Sequence, residues 1–365
     1  MHADSFSSRL LRWYHQHGRH DLPWQQNPTP YRVWVSEIML QQTQVVKVLD
    51  YYPRFMARFP TVADLAAASQ DEVLQLWAGL GYYTRARNLH RCAQAVMELG
   101  GEFPVGSQSE MEALPGIGRS TAAAIRAFST GQRATILDGN VKRVLTRYAG
   151  IEGWPGQKTI EAQLWQLAET LTPQQEVATY TQAIMDLGAT LCKPRQPACS
   201  RCPHQQQCVA YATDQTARLP TPKPKKVRPQ KERHFLLLEH QQQWLLERRP
   251  DQGIWGGLWS LPEFATQAGL QAWLAERALT GALEPQPQIE HAFTHYQLIM
   301  RPWRLQLSAQ SASERPLATC SDAPAQIWYD PQRPAALGLP APIEKLLQAQ
   351  RTAQQGQLFL TRLSQ

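Results

Sequence analysis

Residues 114–125 read LPGIGRSTAAAI, and this stretch decides the fold of the N-terminal part of the chain. Gly116 and Gly118 predict a tight turn, and the alanine-rich residues that follow predict a helix starting at that turn. Because glycine has no side chain, backbone amides at this helix N-terminus can approach a phosphate oxygen closely. The residues alone also allow an ordinary corner between two helices, without any ligand.

Helical periodicity extends to both sides of the turn. Apolar residues recur at helical spacing in five stretches, which predict helices over 31–52, 62–78, 88–99, 141–148 and 160–171. Immediately before the turn, Ser109 and Glu112 predict a capping box for a short helix. No alternating strand pattern competes, so residues 1–213 are predicted to be all-α.

Two carboxylates in this part stand in segments where a charge is unexpected. Glu37 lies in the apolar segment VWVSEIML (33–40), where burial would raise its pKa and keep it protonated as a general acid. A partly exposed or arginine-paired glutamate is the simpler interpretation. Asp138, in TILDGNV (135–141), fits the N-cap of the next helix, and it could also face an electron-poor sugar carbon.

Four cysteines form a compact C-x6-C-x2-C-x5-C pattern: Cys192, Cys199, Cys202 and Cys208. Four thiolates can close a tetrahedral zinc site or hold the corners of a 4Fe-4S cluster. Zinc ribbons usually carry two short C-x2-C pairs, whereas only one pair here is that close. The spacing therefore favours an iron-sulfur cluster over zinc.

Composition and charge divide the chain and limit its class. No stretch approaches the roughly eighteen apolar residues of a membrane span, and the first twenty residues do not read as a secretion signal, so we expect a cytoplasmic protein without a membrane partner. The net charge of +7 indicates an anionic partner. Residues 214–233 hold seven Lys or Arg, two Asp or Glu and four prolines, which predicts a basic, extended linker between two domains.

After this linker the pattern predicts a second domain of α+β class over residues 234–365. The segments HFLLL and WLLE read as strands separated by a polar turn. A helix is predicted at 269–278, followed by strands at QLIM and RLQL and a closing helix at 342–350.

Taken in order, the PGIG turn, the aspartate in LDGNVKRV (137–144) and the four-cysteine loop resemble the helix-hairpin-helix DNA glycosylases of the endonuclease III superfamily. Within it, PYRVWVSEIMLQQTQV (30–45) and LWAGLGYYTRARNLH (76–90) resemble the MutY-type adenine DNA glycosylases, which also carry a C-terminal Nudix-like domain. The resemblance spans nearly the whole chain. It implies a six-helix module over 22–132 and a 4Fe-4S cluster module built from 1–21 and 133–213, with a cleft for a flipped base between them.

The resemblance further implies a monomeric enzyme that binds double-stranded DNA and removes adenine mispaired with 8-oxoguanine or guanine. Glu37 matches the acid that protonates the departing adenine, Asp138 the carboxylate that stabilises the positive sugar, and Asn140 the residue that supports both. The other residues carried over contact DNA around the lesion or at the glycine turn: Gln42, Tyr82, Gly116, Gly118 and Ser120.

Two departures refine this implication. Related enzymes that also cut the strand carry a lysine where this chain has Ser120, which favours a monofunctional hydrolase, although Lys142 is a nearby amine. The Nudix-like domain lacks the acidic cluster that holds Mg²⁺ and carries GLQAWLAERAL (269–279) in its place, so we expect it to recognise the lesion. The matching recognition loop is Phe293-Thr294-His295, with threonine in place of the family's serine.

Two alternatives remain open at this point. One is an endonuclease III-type glycosylase with lyase activity on oxidised pyrimidines, against which Ser120 argues. The other is a non-catalytic iron-sulfur protein that binds DNA, against which the presence of both Glu37 and Asp138 argues.

Overall fold

The computed structural model describes residues 5–224, 227–250, 253–293, 295–307, 325–331 and 337–363. The chain divides into two compact units at residues 225 and 226, and residues 68–87 belong to the second unit. In that unit, the Tyr83 hydroxyl donates a hydrogen bond to the Leu339 carbonyl over 3.1 Å, and the Arg87 guanidinium donates to the Gly256 carbonyl over 2.6 Å. The division thus interrupts the span 22–132 that the resemblance assigns to one module.

Up to Ala212 the described chain is helical, as predicted. Twelve α-helices are found there: α1 (Phe6–His17), α2 (Pro30–Leu40), α3 (Val45–Arg58), α4 (Val62–Ala67), α5 (Gln70–Trp77), α6 (Thr84–Glu98), α7 (Gln108–Ala113), α8 (Arg119–Thr130), α9 (Gly139–Ala149), α10 (Lys158–Leu171), α11 (Val177–Asp186) and α12 (Val209–Ala212). Among the described residues, none of the helices has both the length and the apolar character of a membrane span.

Several predicted boundaries were wrong. The helix predicted over 31–52 is two helices, because α2 ends at Leu40 and Gln42 adopts a left-handed backbone with φ of 56°. The predicted helix over 62–78 is likewise divided, between α4 and α5. The predicted capping box was also misplaced, since α7 is capped by Ser107, whose hydroxyl accepts from the Glu110 amide over 3.3 Å.

The core of the first unit packs the C-terminal half of the helical region against α1 and α8. Leu10 from α1, Leu145 from α9 and Leu164 from α10 are fully buried in it. The alanine-rich run predicted from the sequence supplies Ala123 and Ala127, whose small side chains let neighbouring backbones approach closely. This packing holds the segment between α8 and α9, which ends at Asp138, in a fixed position.

Beyond residue 226, the described residues of the second unit form an eight-stranded mixed sheet and two helices, in addition to α5 and the start of α6. The elements are β1 (Gln230–His240), β2 (Gln243–Arg248), β3 (Trp259–Ser260), β4 (Glu263–Phe264), α13 (Gln267–Glu276), β5 (Leu283–Pro285), β6 (Ile289–Ala292), β7 (Gln297–Gln306), β8 (Gln326–Tyr329) and α14 (Ala341–Leu363). Strand β1 pairs parallel with β7 and antiparallel with β2. It begins inside the predicted linker, and the two strands predicted at QLIM and RLQL are the single strand β7.

Both faces of this sheet are covered. Phe235 and Leu237 of β1 pack with Ile343 of α14, whereas Leu236 and Leu238 pack on the other face with α13. Because successive side chains of a strand point to opposite faces, a strand buried on both faces reads as the continuous apolar run seen in HFLLL. The α+β class predicted for this part of the chain is therefore confirmed.

Gly116 holds the decisive turn between α7 and α8. Its φ of 78° lies in the left-handed region, and a Cβ added there would come within 2.8 Å of the Cβ of Asn88. Glycine is required here for two reasons, because a side chain would strain the backbone and would collide with α6. The turn and α6 are thus packed without space between them.

We expect Gly116→Ala to lower the free energy of unfolding by about 1–2 kcal/mol, from backbone strain and the clash with Asn88. Gly106→Ala is the matched control, because Gly106 has open space around it and no positive φ. Urea denaturation of both variants measures the difference. Equal midpoints for Gly116→Ala and wild type would contradict this account of the turn.

Candidate active site

Glu37 lies on α2 and lines a cavity of the first unit. The cavity has an empty volume of about 870 Å³, part of it open to solvent, and Trp24, Val33, Phe128 and Gln182 also line it. Glu37 is partly exposed, toward this cavity, while its neighbours Ser36 and Ile38 are buried. Glu37 is the one carboxyl group of this lining, whose other side chains are apolar, hydroxyl, amide or imidazole groups.

The environment of Glu37 favours its protonated form. Loss of solvation and, to a lesser extent, the negative charge of Asp138 together raise the pKa of this carboxyl from 4.5 to about 8. No described residue donates a hydrogen bond to Glu37, so nothing of that kind opposes the shift. The raised pKa thus favours the protonated acid. The partial exposure of Glu37 agrees with the simpler interpretation, and no ion pair with an arginine is found for it among the described residues.

Asp138 is also desolvated, but unlike Glu37 it accepts hydrogen bonds that oppose the effect of burial on its pKa. It is the N-cap of α9, where one carboxylate oxygen accepts from the Val141 amide over 2.8 Å and the other accepts from the Asn140 side chain over 3.1 Å. Burial raises the pKa of Asp138, whereas these hydrogen bonds and the nearby Arg143 lower it. The net shift of the Asp138 pKa is upward, with burial as its largest cause, and the hydrogen bonds and Arg143 limit it.

Arg143 extends this arrangement toward the cysteine loop. Its guanidinium donates to the Asn140 side-chain oxygen over 2.8 Å, to the Gly188 carbonyl over 2.8 Å and to the Cys192 carbonyl over 2.7 Å. Asn140 is thereby held between Asp138 and Arg143. The order of the Asp138 site thus depends on the backbone that precedes and includes the first cysteine.

The glycine turn presents the N-terminus of α8. No side chain caps Gly118, so the first amides of the helix are available to an anion such as a phosphate. The Ser120 hydroxyl accepts from the Leu137 amide over 3.0 Å, one residue before Asp138. Ser120 therefore connects the turn to the segment that carries the aspartate. Lys142, the other amine considered, is paired with Glu161 at 2.6 Å.

The four cysteines of the loop line one cavity of the first unit, with an empty volume of about 460 Å³. All four are free thiols. Among the described residues, no three His, Cys, Asp or Glu side chains are gathered as a single metal ion requires.

Arg147 is the buried cation of this loop, with 2% of its surface exposed. It donates to the Lys193 carbonyl over 2.7 Å and to the Cys192 sulfur over 3.4 Å. No carboxylate of the described residues pairs with it. Because an uncompensated buried charge is costly, a group with anionic thiolate ligands fits this position.

Gln42 and Tyr82 share an unusual backbone. Their φ angles are 56° and 50°, in the left-handed region that non-glycine residues rarely adopt. Gln42 lies in the turn after α2, and Tyr82 follows Gly81 with half of its surface exposed. Strain of this kind is often found at functional positions.

The loop proposed to recognise the lesion lies between β6 and β7. Its Phe293 is anchored by rings around it, with centroid distances of 5.5 Å to Trp255 and 5.0 Å to Tyr296. His295 is exposed at the tip of this turn. Thr294 lies outside the described residues.

Sequence reasoning missed two residues that line the Glu37 cavity, Trp24 and Gln182. It also missed Asp186, whose carboxylate contacts Gln182. Asp186, at the end of α11, accepts a hydrogen bond of 2.8 Å from the Gln182 side-chain amide. Helix α11 was not predicted, and its residues are brought to α2 only by tertiary packing. An aspartate and a glutamine four residues apart were the available signal.

Comparison with known proteins agrees with these two parts. Residues 35–170 match the model of the HhH-GPD superfamily base excision DNA repair proteins, and residues 233–349 match the NUDIX domain. The adenine DNA glycosylase of Buchnera aphidicola subsp. Schizaphis graminum is 38% identical over 94% of this chain and 98% of the relative. The chain belongs to the adenine DNA glycosylase family. Its human member is 34% identical over 84% of this chain and 68% of its own length.

The fold of the helical part has a solved counterpart. A thermostable thymine-DNA glycosylase covers 57% of this chain and 95% of its own, with a TM-score of 0.52 and 30% sequence identity. In the adenine DNA glycosylase family this helical HhH-GPD part is followed by the α+β NUDIX domain described above.

Glu37→Gln is expected to stabilise the protein increasingly as the pH rises. The native protein retains the Glu37 proton up to a pKa of about 8, whereas the unfolded chain releases it near 4.5. The wild type therefore loses stability between these values, and the difference from Glu37→Gln should grow by about 1 kcal/mol or more from about pH 5 to about pH 8.

Denaturant unfolding across this pH range measures the gap. Glu98→Gln is the control, because Glu98 is exposed at the end of α6 and its removal should give no comparable trend. A gap that is constant with pH would mean that Glu37 is solvated in the native state.

Proposed function

We propose that this chain is a DNA repair N-glycosylase that flips adenine out of duplex DNA and hydrolyses its N-glycosidic bond. The proposal rests chiefly on a proton-bearing Glu37 at a cavity, electrostatically coupled to Asp138, in a member of the adenine DNA glycosylase family. The substrates would be adenine opposite 8-oxoguanine and adenine opposite guanine.

The chemistry explains why two unlike carboxyl groups are needed. Adenine leaves poorly as an anion, so Glu37 donates a proton to the departing base. Bond breaking builds positive charge on the sugar, and the ionised Asp138 stabilises that oxocarbenium ion. Asn140 orients Asp138 through the hydrogen bond between them. The flipped base would enter the cavity beside Glu37, while amides at the α8 N-terminus near Gly116 and Gly118 hold a phosphate.

Two observations favour water over an amine as the nucleophile. Ser120 stands where strand-cutting relatives carry a lysine, and its hydroxyl is bonded to the Leu137 amide. The Lys142 ammonium is paired with Glu161, so it is not a free amine for Schiff-base formation. The endonuclease III-type lyase and the non-catalytic DNA-binding protein are the alternatives that the assays below exclude or support.

A 4Fe-4S cluster is the proposed cofactor. Cys192, Cys199, Cys202 and Cys208 around one cavity, with the buried Arg147 beside them, support it. The cluster would bind the loop to α9 and thereby hold the Cys192 carbonyl that orients Arg143. Its role in this proposal is structural.

The NUDIX domain is proposed to recognise the lesion rather than to hydrolyse nucleotides. Helix α13 contains a single acidic residue, Glu276. Glu263 is occupied by ion pairs with Arg249 and with Arg233. Without further carboxylates a Mg²⁺ site is not formed there. The exposed His295, on a turn anchored by Phe293, is suited to contact 8-oxoguanine, and Gln42 and Tyr82 to fill the stack around it.

Glu37→Gln should bind duplex DNA with an adenine opposite 8-oxoguanine while losing excision by about 1,000-fold or more, because the proton donor is removed and phosphate contacts remain. Single-turnover release of adenine and a filter-binding titration measure the two properties.

In wild type, the strand should remain intact until alkali is added. Strand cleavage without alkali that survives Lys142→Ala would instead support the lyase alternative, and no adenine release at all by wild type would support the binding protein.

Purified protein should carry about four irons per chain and be brown. Cys199→Ser should lower iron content and folded yield together, since ligation holds the loop. Cys92→Ser is the control, because Cys92 is fully buried in α6, outside the loop, and its loss should leave the iron content unchanged. Stoichiometric zinc without visible absorbance would refute the cluster.

The double variant with Thr294→Ala and His295→Ala should lose much of the preference for 8-oxoguanine over guanine opposite adenine, by about tenfold. Excision opposite guanine should change little, because the carboxyl pair is untouched. Glu284→Gln, on the exposed edge strand β5, is the matched control in the same unit. An unchanged ratio of the two single-turnover rates would assign lesion recognition elsewhere.

A further inference from the structure

The carboxylate of Asp186 is buried behind the Glu37 cavity and has no place in the chemistry described so far. Its exposure is 0%, and it ends α11. One oxygen accepts from the Arg19 backbone amide over 2.8 Å, and the other accepts from the Arg19 guanidinium and from the Gln182 side-chain nitrogen over 2.8 Å. Gln182 is four residues earlier on the same helix, so the helix itself holds the two side chains together.

This contact determines which end of the Gln182 amide can face the cavity. A carboxylate only accepts hydrogen bonds, so the amide must present its NH₂ group to Asp186. Its carbonyl oxygen then lies at the opposite end, and no described residue donates a hydrogen bond to it. Gln182 lines the same cavity as Glu37. The cavity therefore combines a protonated acid, which donates, with an amide oxygen, which accepts.

We propose that Asp186 is a positioning residue that fixes the orientation of the Gln182 amide and thereby selects purines with an amino group at C6. The inference rests on the proposed function and specifies how the base is chosen. Adenine presents an acceptor at N7 and a donor at its C6 amino group, whereas guanine presents acceptors at both places. Glu37 and the oriented Gln182 complement the adenine pattern. A C6 carbonyl would face the amide oxygen, acceptor against acceptor.

Without Asp186, this discrimination would weaken. A glutamine amide that is free to rotate by 180° offers its NH₂ group to a C6 carbonyl equally well. Beside the buried carboxylate, the rotated amide would bring its oxygen against negative charge and leave the carboxylate with one donor fewer. An orientation held in this way is expected to be worth about 10- to 100-fold in the ratio of adenine to C6-carbonyl purines.

The test compares three duplexes that differ only in the base opposite 8-oxoguanine: adenine, hypoxanthine with its C6 carbonyl, and purine with no C6 substituent. Single-turnover base release is measured for wild type, Asp186→Asn and Gln182→Met. We expect Asp186→Asn to lower the adenine-to-hypoxanthine ratio by about 10- to 100-fold. Gln182→Met, which lacks the acceptor, should lower the adenine-to-purine ratio by about tenfold. Arg19→Lys, the control, keeps both the charge and the carboxylate, so its ratios should equal those of wild type.

A purely structural role for Asp186 gives a different result. It would slow release of all three bases by one common factor and leave both ratios unchanged, which would overturn the proposal. If Asp186→Asn does not fold, the Gln182→Met ratio decides, and an unchanged adenine-to-purine ratio overturns it equally. Adding Asp186→Asn to Gln182→Met should change no ratio further. Failure of wild type to release adenine would instead refute the proposed glycosylase, which is a separate outcome.

Discussion

The hydrogen bond from the Val141 amide to the Asp138 carboxylate is the interaction on which the first unit depends. It begins α9, and it also fixes the carboxylate proposed to stabilise the sugar. An N-cap and the proposed catalytic role are compatible, because each uses an acceptor oxygen held against backbone donors. The same aspartate therefore begins a helix and is the proposed catalytic carboxylate. Hydrogen bonds through Asn140 and Arg143 connect it to the Cys192 carbonyl.

Glu37 represents the opposite compromise. A carboxyl group that loses its solvation without gaining hydrogen bonds destabilises the fold once it ionises, and this is what raises its pKa to about 8. Such an arrangement has no structural benefit. The desolvated carboxyl of Glu37 and the left-handed backbones of Gln42 and Tyr82 are all locally destabilising. Departures of this kind concentrate at sites selected for activity.

The NUDIX domain of the second unit is proposed to recognise the lesion rather than to hydrolyse nucleotides. Its sheet is buried on both faces by α13 and α14, so the scaffold remains complete. The acidic residues that would bind a metal are absent from α13, and Glu263 is neutralised by arginines. The turn between β6 and β7 is supported by aromatic rings and exposes His295. An exposed turn on a rigid sheet is an arrangement that binding sites commonly use.

The residues by themselves determined the class of both parts, the glycine turn, and the candidate pair Glu37 and Asp138. These are local properties: periodicity, a positive φ that only glycine adopts easily, and a charge within an apolar run. Tertiary structure alone decided that Asp186 holds Gln182 and Arg19, because Arg19 lies 167 residues away along the chain. It also decided the raised pKa of Glu37, since desolvation depends on everything packed around the carboxyl group and not on its neighbours in sequence.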